Sequence, residues 1–148
     1  MRQAINRFFA SDAYAVVGAS PDPKKFGHRT LRMMKEKGLR VFPVNPRHYT
    51  IDGMKCYPSI FELPPEVRSV VTVVPPEQTE KVVHDCVMKG IETVWMQRGS
   101  ESHKAIREAQ KGGITVVHGY CILMFLEPVQ GAHSFHRFFT KLVGAYPR

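Results

Sequence analysis

Short apolar runs alternate with helical stretches of 10 to 13 residues along most of this chain, and that alternation leaves few folds open. Tyr14–Val17 is an apolar run that stops at Gly18 and reads as a buried strand. Phe26 to Lys37 follows, with Leu31 and Met34 between basic residues as on an amphipathic helix, and Gly38 stands where a left-handed cap belongs. Arg40 to Val44 is the next strand, closed by Pro46. Residues 47 to 65 read as an irregular connection with one helical turn at Ser59 to Leu63, ended by Pro64-Pro65. The pattern then resumes. Ser69 to Val74 is β-branched; Glu77 to Lys89 spaces Val82, Val83, Cys86 and Val87 as a helix would; Thr93 to Met96 is a fourth strand. Glu101 to Lys111 keeps Ala105, Ile106 and Ala109 on one face, and Thr115 to Val117 is a fifth strand. Strands that alternate with helices predict a doubly wound α/β domain: a mainly parallel five-stranded sheet with helices on both faces, in three layers. The 148 residues fit one such domain, with a core over about 13–126, an N-terminal helix within 1–10 and a C-terminal helical extension over 127–148.

Composition narrows the function classes. No stretch approaches the ~20 apolar residues of a membrane-spanning helix. Cys56, Cys86 and Cys121 show no paired spacing, which predicts reduced thiols in a cytoplasm. The formal net charge is +8, and its excess is concentrated. Residues 21–50 hold Lys24, Lys25, Arg29, Arg32, Lys35, Lys37, Arg40 and Arg47 against only Asp22 and Glu36. A local positive field attracts nucleic acid, anionic lipid or a multiply phosphorylated small molecule, unless it is simply a solvated helix face.

Position favours the small molecule. A doubly wound sheet binds ligands at the carboxyl ends of its strands, where the winding reverses. Gly18-Ala19-Ser20, Lys24, Lys25, Gly27 and His28 follow the first strand, and Asn45-Pro46-Arg47 the second. Val74-Pro75-Pro76 follows the third strand and Gln97-Arg98-Gly99-Ser100 the fourth. Amides around Ser20 to Gly27 can form an anion nest at a helix N-terminus. The dinucleotide fingerprint GxGxxG is missing, since Gly18 and Gly27 are nine apart with two prolines between them. The carboxylate that would hold the NAD ribose is also missing after the second strand, where Arg47 stands instead. A basic residue there suits a nucleotide with an extra ribose phosphate, which leaves NADP and coenzyme A.

Taken in order, these segments resemble a known family. Val17-Gly18-Ala19-Ser20, Lys25-Phe26-Gly27-His28, Val41 to Pro46, Ile51-Asp52-Gly53 and Tyr57-Pro58-Ser59 are similar to the small bacterial and archaeal CoA-binding proteins. Leu63-Pro64, Val74 to Glu77, Val94 to Gln97 with Gly99, and Gly113 to Val117 with Gly119 and Cys121 extend the likeness over about residues 13–126. That family is similar in turn to the Rossmann-like CoA-binding domain of the succinyl-CoA synthetase α subunit. The resemblance implies that Gly18, Ala19, Ser20 and Lys25, with Phe26, Gly27 and His28 beside them, meet the CoA phosphates. It implies that Arg47, after Asn45-Pro46 and with His48 next to it, meets the nucleotide. Val74-Pro75-Pro76 would lie against the adenine or ribose, with Gln97 and Gly99 completing the site. The related ligases need a further domain that supplies a phosphohistidine, so the expectation here is a binding module for CoA or an acyl-CoA, without chemistry of its own.

Other constellations are weaker. His118, Cys121, His133 and His136 contain metal-ligand types, but their spacing follows no zinc pattern, and packing against Phe135, Phe138 and Phe139 accounts for the last two. Cys121 has no evident base for nucleophilic work. An NADP-dependent oxidoreductase is the alternative, without a Tyr-x-x-x-Lys pair to support it. Nucleic-acid binding through residues 21–50 lacks aromatic interleaving. The C-terminal segment could cover the sheet or form a homodimer contact, and a partner enzyme is the other interaction left open.

Overall fold

The computed structural model describes residues 1–126. The expected helical extension, with Phe135, Phe138, Phe139, His133 and His136, lies outside the described residues. Four helices, α1 (Arg2–Phe9), α2 (Phe26–Glu36), α3 (Pro76–Lys89) and α4 (His103–Lys111), enclose strands β1 (Tyr14–Val17), β2 (Val41–Val44), β5 (Ser69–Thr72), β6 (Thr93–Met96) and β7 (Thr115–Val117). The five strands are all parallel, in the order β2-β1-β5-β6-β7. The chain therefore winds outward from β1 to β2, returns to the other side of β1 at β5, and continues to β7. The reversal falls between β1 and β5.

Both faces of the sheet are buried, as its near-continuous apolar strands require. On one face α1 and α2 bring Ile5, Phe8, Phe9, Leu31 and Met34 against Tyr14, Val16, Val71, Trp95 and Val117. Phe8 and Trp95 meet edge-on at 5.2 Å between ring centroids, and the Trp95 indole N–H donates to the Tyr120 carbonyl at 3.1 Å. On the other face α3 and α4 supply Val83, Cys86, Ala105 and Ala109 to a smaller-grained aliphatic layer with Ala15, Val70, Val94 and Met96. Gly90 closes α3 with φ of 88°, and the Ser102 hydroxyl accepts from the Ala105 amide to start α4.

The connection over 47–65 departs from expectation. It holds a two-stranded antiparallel hairpin, β3 (Thr50–Ile51) and β4 (Met54–Lys55), before the anticipated helical turn, which is a 3-10 turn at Ile60–Glu62. Asp52 and Gly53 form its two-residue loop, with φ of 50° and 76°; two positive values in succession make the I′-type turn that suits strand twist. The Asp-Gly pair was its signal, obscured because each strand is only two residues long. β5 ends at Thr72 rather than Val74: the Val73 amide still donates to the Val17 carbonyl at 2.8 Å, and the Val73 carbonyl and Val74 side chain then pass over Gly18.

Candidate functional site

The crossing of the β1 and β5 exits is built on two missing side chains. A Cβ on Gly18 would lie 2.3 Å from the Val73 carbonyl oxygen, and the residue has φ of 97°. A Cβ on Gly27 would lie 2.0 Å from the Gly18 carbonyl oxygen. The loop from β1, the start of α2 and the loop from β5 thus share one point where only hydrogen fits. Gly18 and Gly27 do the packing work of a glycine fingerprint although they stand nine residues apart; the longer loop Ala19–Lys25 bulges out between them. The direction a Gly18 side chain would take is filled by the Val73 backbone and the Val74 side chain, so glycine is needed there for packing, while another side of the residue lines a cleft.

The bulge is ordered by its own side chains. The Ser20 hydroxyl accepts from the Asp22 amide at 3.0 Å, and the Asp22 carboxylate accepts from the Lys24 amide at 3.0 Å. The Asp22 carbonyl takes the Lys25 amide, and the Lys25 carbonyl takes those of His28 and Arg29. The anion nest expected over Ser20 to Gly27 is therefore narrower. The amides of Ala19, Ser20, Phe26 and Gly27 are those with no acceptor among the described residues. The last two open a helix whose N-terminus favours an anion, and Lys24 and Lys25 stand exposed beside them.

Asn45 and His28 serve as fasteners. The Asn45 amide group donates to the Ala19 carbonyl at 2.8 Å, and its oxygen accepts from the Arg47 amide at 2.9 Å, which ties the β1 exit to the β2 exit. The Cys56 thiol donates to the Asn45 carbonyl at 3.5 Å; burial pushes that thiol's pKa up, so it is a poor nucleophile at neutral pH. His28 is 5% exposed, and its Nε2 lies 2.8 Å from the Asp52 carboxylate, which locks the hairpin turn onto the first turn of α2.

Two clefts meet over Val74. One, of about 500 Å³, is walled by Phe26, Val73, Val74, Pro75 and Pro76 and closed by Gln97 to Ser100. It is mainly apolar, and Arg98 is its one charged residue. Behind its lining Ser100 lies a chain of buried hydroxyls: Ser100 meets Thr72 at 2.8 Å and Thr79 at 2.6 Å. The Gln97 side-chain oxygen accepts from the Ile122 amide at 3.0 Å, and the Gly99 amide donates to Glu101 at 2.6 Å. The second cleft, of about 540 Å³, is more polar and runs from Gly18 and Val44–Arg47 past Pro58–Ile60 to α3. Its α3 wall carries Gln78, Lys81, Val82 and Asp85. Sequence reasoning missed that wall, having read α3 only for its apolar stripe; the spacing of 78, 81, 82 and 85 was its signal.

Of the predicted site residues, Phe26, Pro75, Pro76, Gln97 and Gly99 line the first cleft. Gly18, Asn45, Pro46 and Arg47 line the second, and Val74 both. Ala19, Ser20, Lys25, Gly27 and His28 line neither; they form or brace the loop between. The basic window divides. Arg32 pairs with Glu36, Arg40 pairs with Glu66 and lies over Phe42, and Arg29 lies over Phe26. Lys24, Lys25 and Arg47 pair with no carboxylate among the described residues. Among those residues no cluster of three metal-ligating side chains occurs, and no helix is long and apolar enough to cross a membrane.

Fold and clefts define a doubly wound α/β domain with a cationic crevice at its switch point, the usual place for a phosphorylated ligand. Residues 12–127 match the family described as CoA binding domain, and the chain belongs to it. It is 33% identical over 129 residues to the α subunit of an ADP-forming acetate–CoA ligase II from Pyrococcus furiosus, a match covering 80% of this chain and 28% of that subunit. An uncharacterised Bacillus subtilis protein, YneT, is 30% identical over 115 residues, covering 76% of this chain and 83% of its own length. Among solved structures, a conserved hypothetical protein from Pyrococcus furiosus aligns with a TM-score of 0.73 at 40% identity, covering 76% of this chain and 97% of that one. The chain spans less than a third of the length of the ligase relatives it matches.

Proposed function

We propose that this chain binds coenzyme A or an acyl-CoA along the carboxyl edge of its sheet and presents it without chemistry of its own. The observation that carries the reading is the distribution of unneutralised charge. Lys24 and Lys25 flank the free amides at the start of α2, and Arg47 stands at the second cleft, so separate cationic centres stand at the β1 and β2 exits. Coenzyme A has two matching anionic centres, a pyrophosphate and a ribose 3′-phosphate. The pyrophosphate belongs at the α2 start and the ribose phosphate at Arg47 in the polar cleft. The adenine or ribose then lies against Val74, which both clefts share. The apolar cleft beyond it, with Pro75 and Pro76, takes the pantetheine arm in place of the nucleotide contact the resemblance implied for those two prolines. The ligase relatives, whose names specify a CoA-joining reaction, support the ligand class. The nucleophile candidates at the site are spoken for: the Ser100 hydroxyl is held by Thr72 and Thr79, and Cys56 is buried.

Thermal unfolding with CoA, dephospho-CoA, NADP and NAD at matched concentrations tests this. A ligand present at 100 times its dissociation constant adds about 2.7 kcal/mol. Stabilisation by CoA above the other three is expected. A response to NADP alone moves the chain to the oxidoreductases, and silence from all four overturns the reading.

A further inference from the structure

We propose that Lys81 is the second half of a two-cation clamp on the ligand's ribose 3′-phosphate, reaching it from α3 while Arg47 reaches it from the β2 exit. This rests on the reading of the site as one for CoA or acyl-CoA, and adds the residue that selects the 3′-phosphorylated nucleotide. Gln78, Lys81, Val82 and Asp85 recur at helical spacing, so one stripe of α3 forms a wall of the polar cleft, and Arg47 lies on the wall from β2. Lys81 is exposed and pairs with no carboxylate among the described residues. Asp85 stands one turn on, but a lysine that precedes its acid by four residues is the poorer order for a helix pair, and no ion pair forms. Two unneutralised cations facing one cleft repel each other, and a phosphate monoester between them removes that cost. Asp85 repels anions from its own turn of the stripe, which favours the Lys81 turn, nearer the start of α3, for the phosphate. The pyrophosphate has separate cations in Lys24 and Lys25, so the clamp is free to discriminate.

Calorimetric titration of the native chain, Lys81→Ala, Lys81→Arg and Arg47→Ala with CoA and with dephospho-CoA tests the clamp. Lys111→Ala, at the far end of α4, serves as the control for net charge. Loss of one charge-assisted hydrogen bond at an exposed site predicts about tenfold weaker CoA binding for Lys81→Ala, with dephospho-CoA changed less than about twofold. Lys81→Arg should restore most of the affinity. Equal losses for both ligands, or none for either, overturn the clamp while leaving CoA binding in place. Absence of CoA binding by the native chain overturns the parent reading and the clamp with it.

Discussion

At the amino edge of the sheet Arg40 pairs with Glu66 at 2.8 Å and Arg68 with Glu92 at 3.0 Å, while at the carboxyl edge Lys24, Lys25, Arg47 and Arg98 meet no carboxylate partner among the described residues. The same strands show the same contrast in their hydroxyls. Ser69 is bonded to Ser11 and Thr93 where β5 and β6 begin, a closed set beneath a charge-matched surface. Where those strands end, the buried set Thr72, Ser100 and Thr79 reaches the wall of a cleft through Ser100. Acidic side chains stand at the carboxyl edge as well, but Asp22 accepts from the Lys24 amide, Asp52 pairs with His28 and Glu101 accepts from the Gly99 amide, so the cations there stay unpaired. Self-repulsion at the carboxyl edge is a cost that an anionic ligand would remove, as the proposed binding site requires.

Substitutions can break or sharpen that contrast. The largest effect is expected at the crossing that shapes the carboxyl edge. Gly27→Ala drives a methyl into the Gly18 carbonyl and should cost about 3 kcal/mol or prevent folding, read as the urea midpoint. Arg47→Ala and Lys25→Ala should each weaken CoA by about 1–3 kcal/mol in a titration and leave the urea midpoint unchanged. Ser100→Ala removes the central hydroxyl of the buried chain and should lower stability by about 1–2 kcal/mol in the same unfolding assay. Arg68→Ala, its amino-edge counterpart, should change stability by less than about 1 kcal/mol and CoA affinity not at all. If Arg68→Ala weakened CoA as much as Arg47→Ala, the contrast between edges would carry no functional meaning.

Much of this was legible in the sequence, and the reasons are physical. Strands buried on both faces read as unbroken apolar runs, so Tyr14–Val17, Thr93–Met96 and Thr115–Val117 fall where expected. Chain order with parallel pairing then places every strand exit on one edge, which is why Gly18, Asn45, Val74 and Gln97 could be grouped from sequence. What sequence concealed depended on contacts across the fold. Gly18 and Gly27 meet only in space. Sequence grouped Asn45 and His28 with the site but could not show their ties to Ala19 and Asp52, partners 26 and 24 positions away. The basic window looked like a single patch because sequence does not show that Arg40 lies at the opposite edge from Arg47, beside Glu66. Lys81 escaped notice because its helix was read for the face it buries.

The most direct test of the difference between the edges is an amide nitrogen–proton correlation spectrum titrated with CoA. The account predicts saturable shifts at Ala19, Gly27, Arg47, Val74, Lys81 and Gly99, with Ser11, Arg68, Glu92 and Thr115 unmoved. Shifts centred on the amino-edge residues, or shifts that grow without saturating, would contradict it.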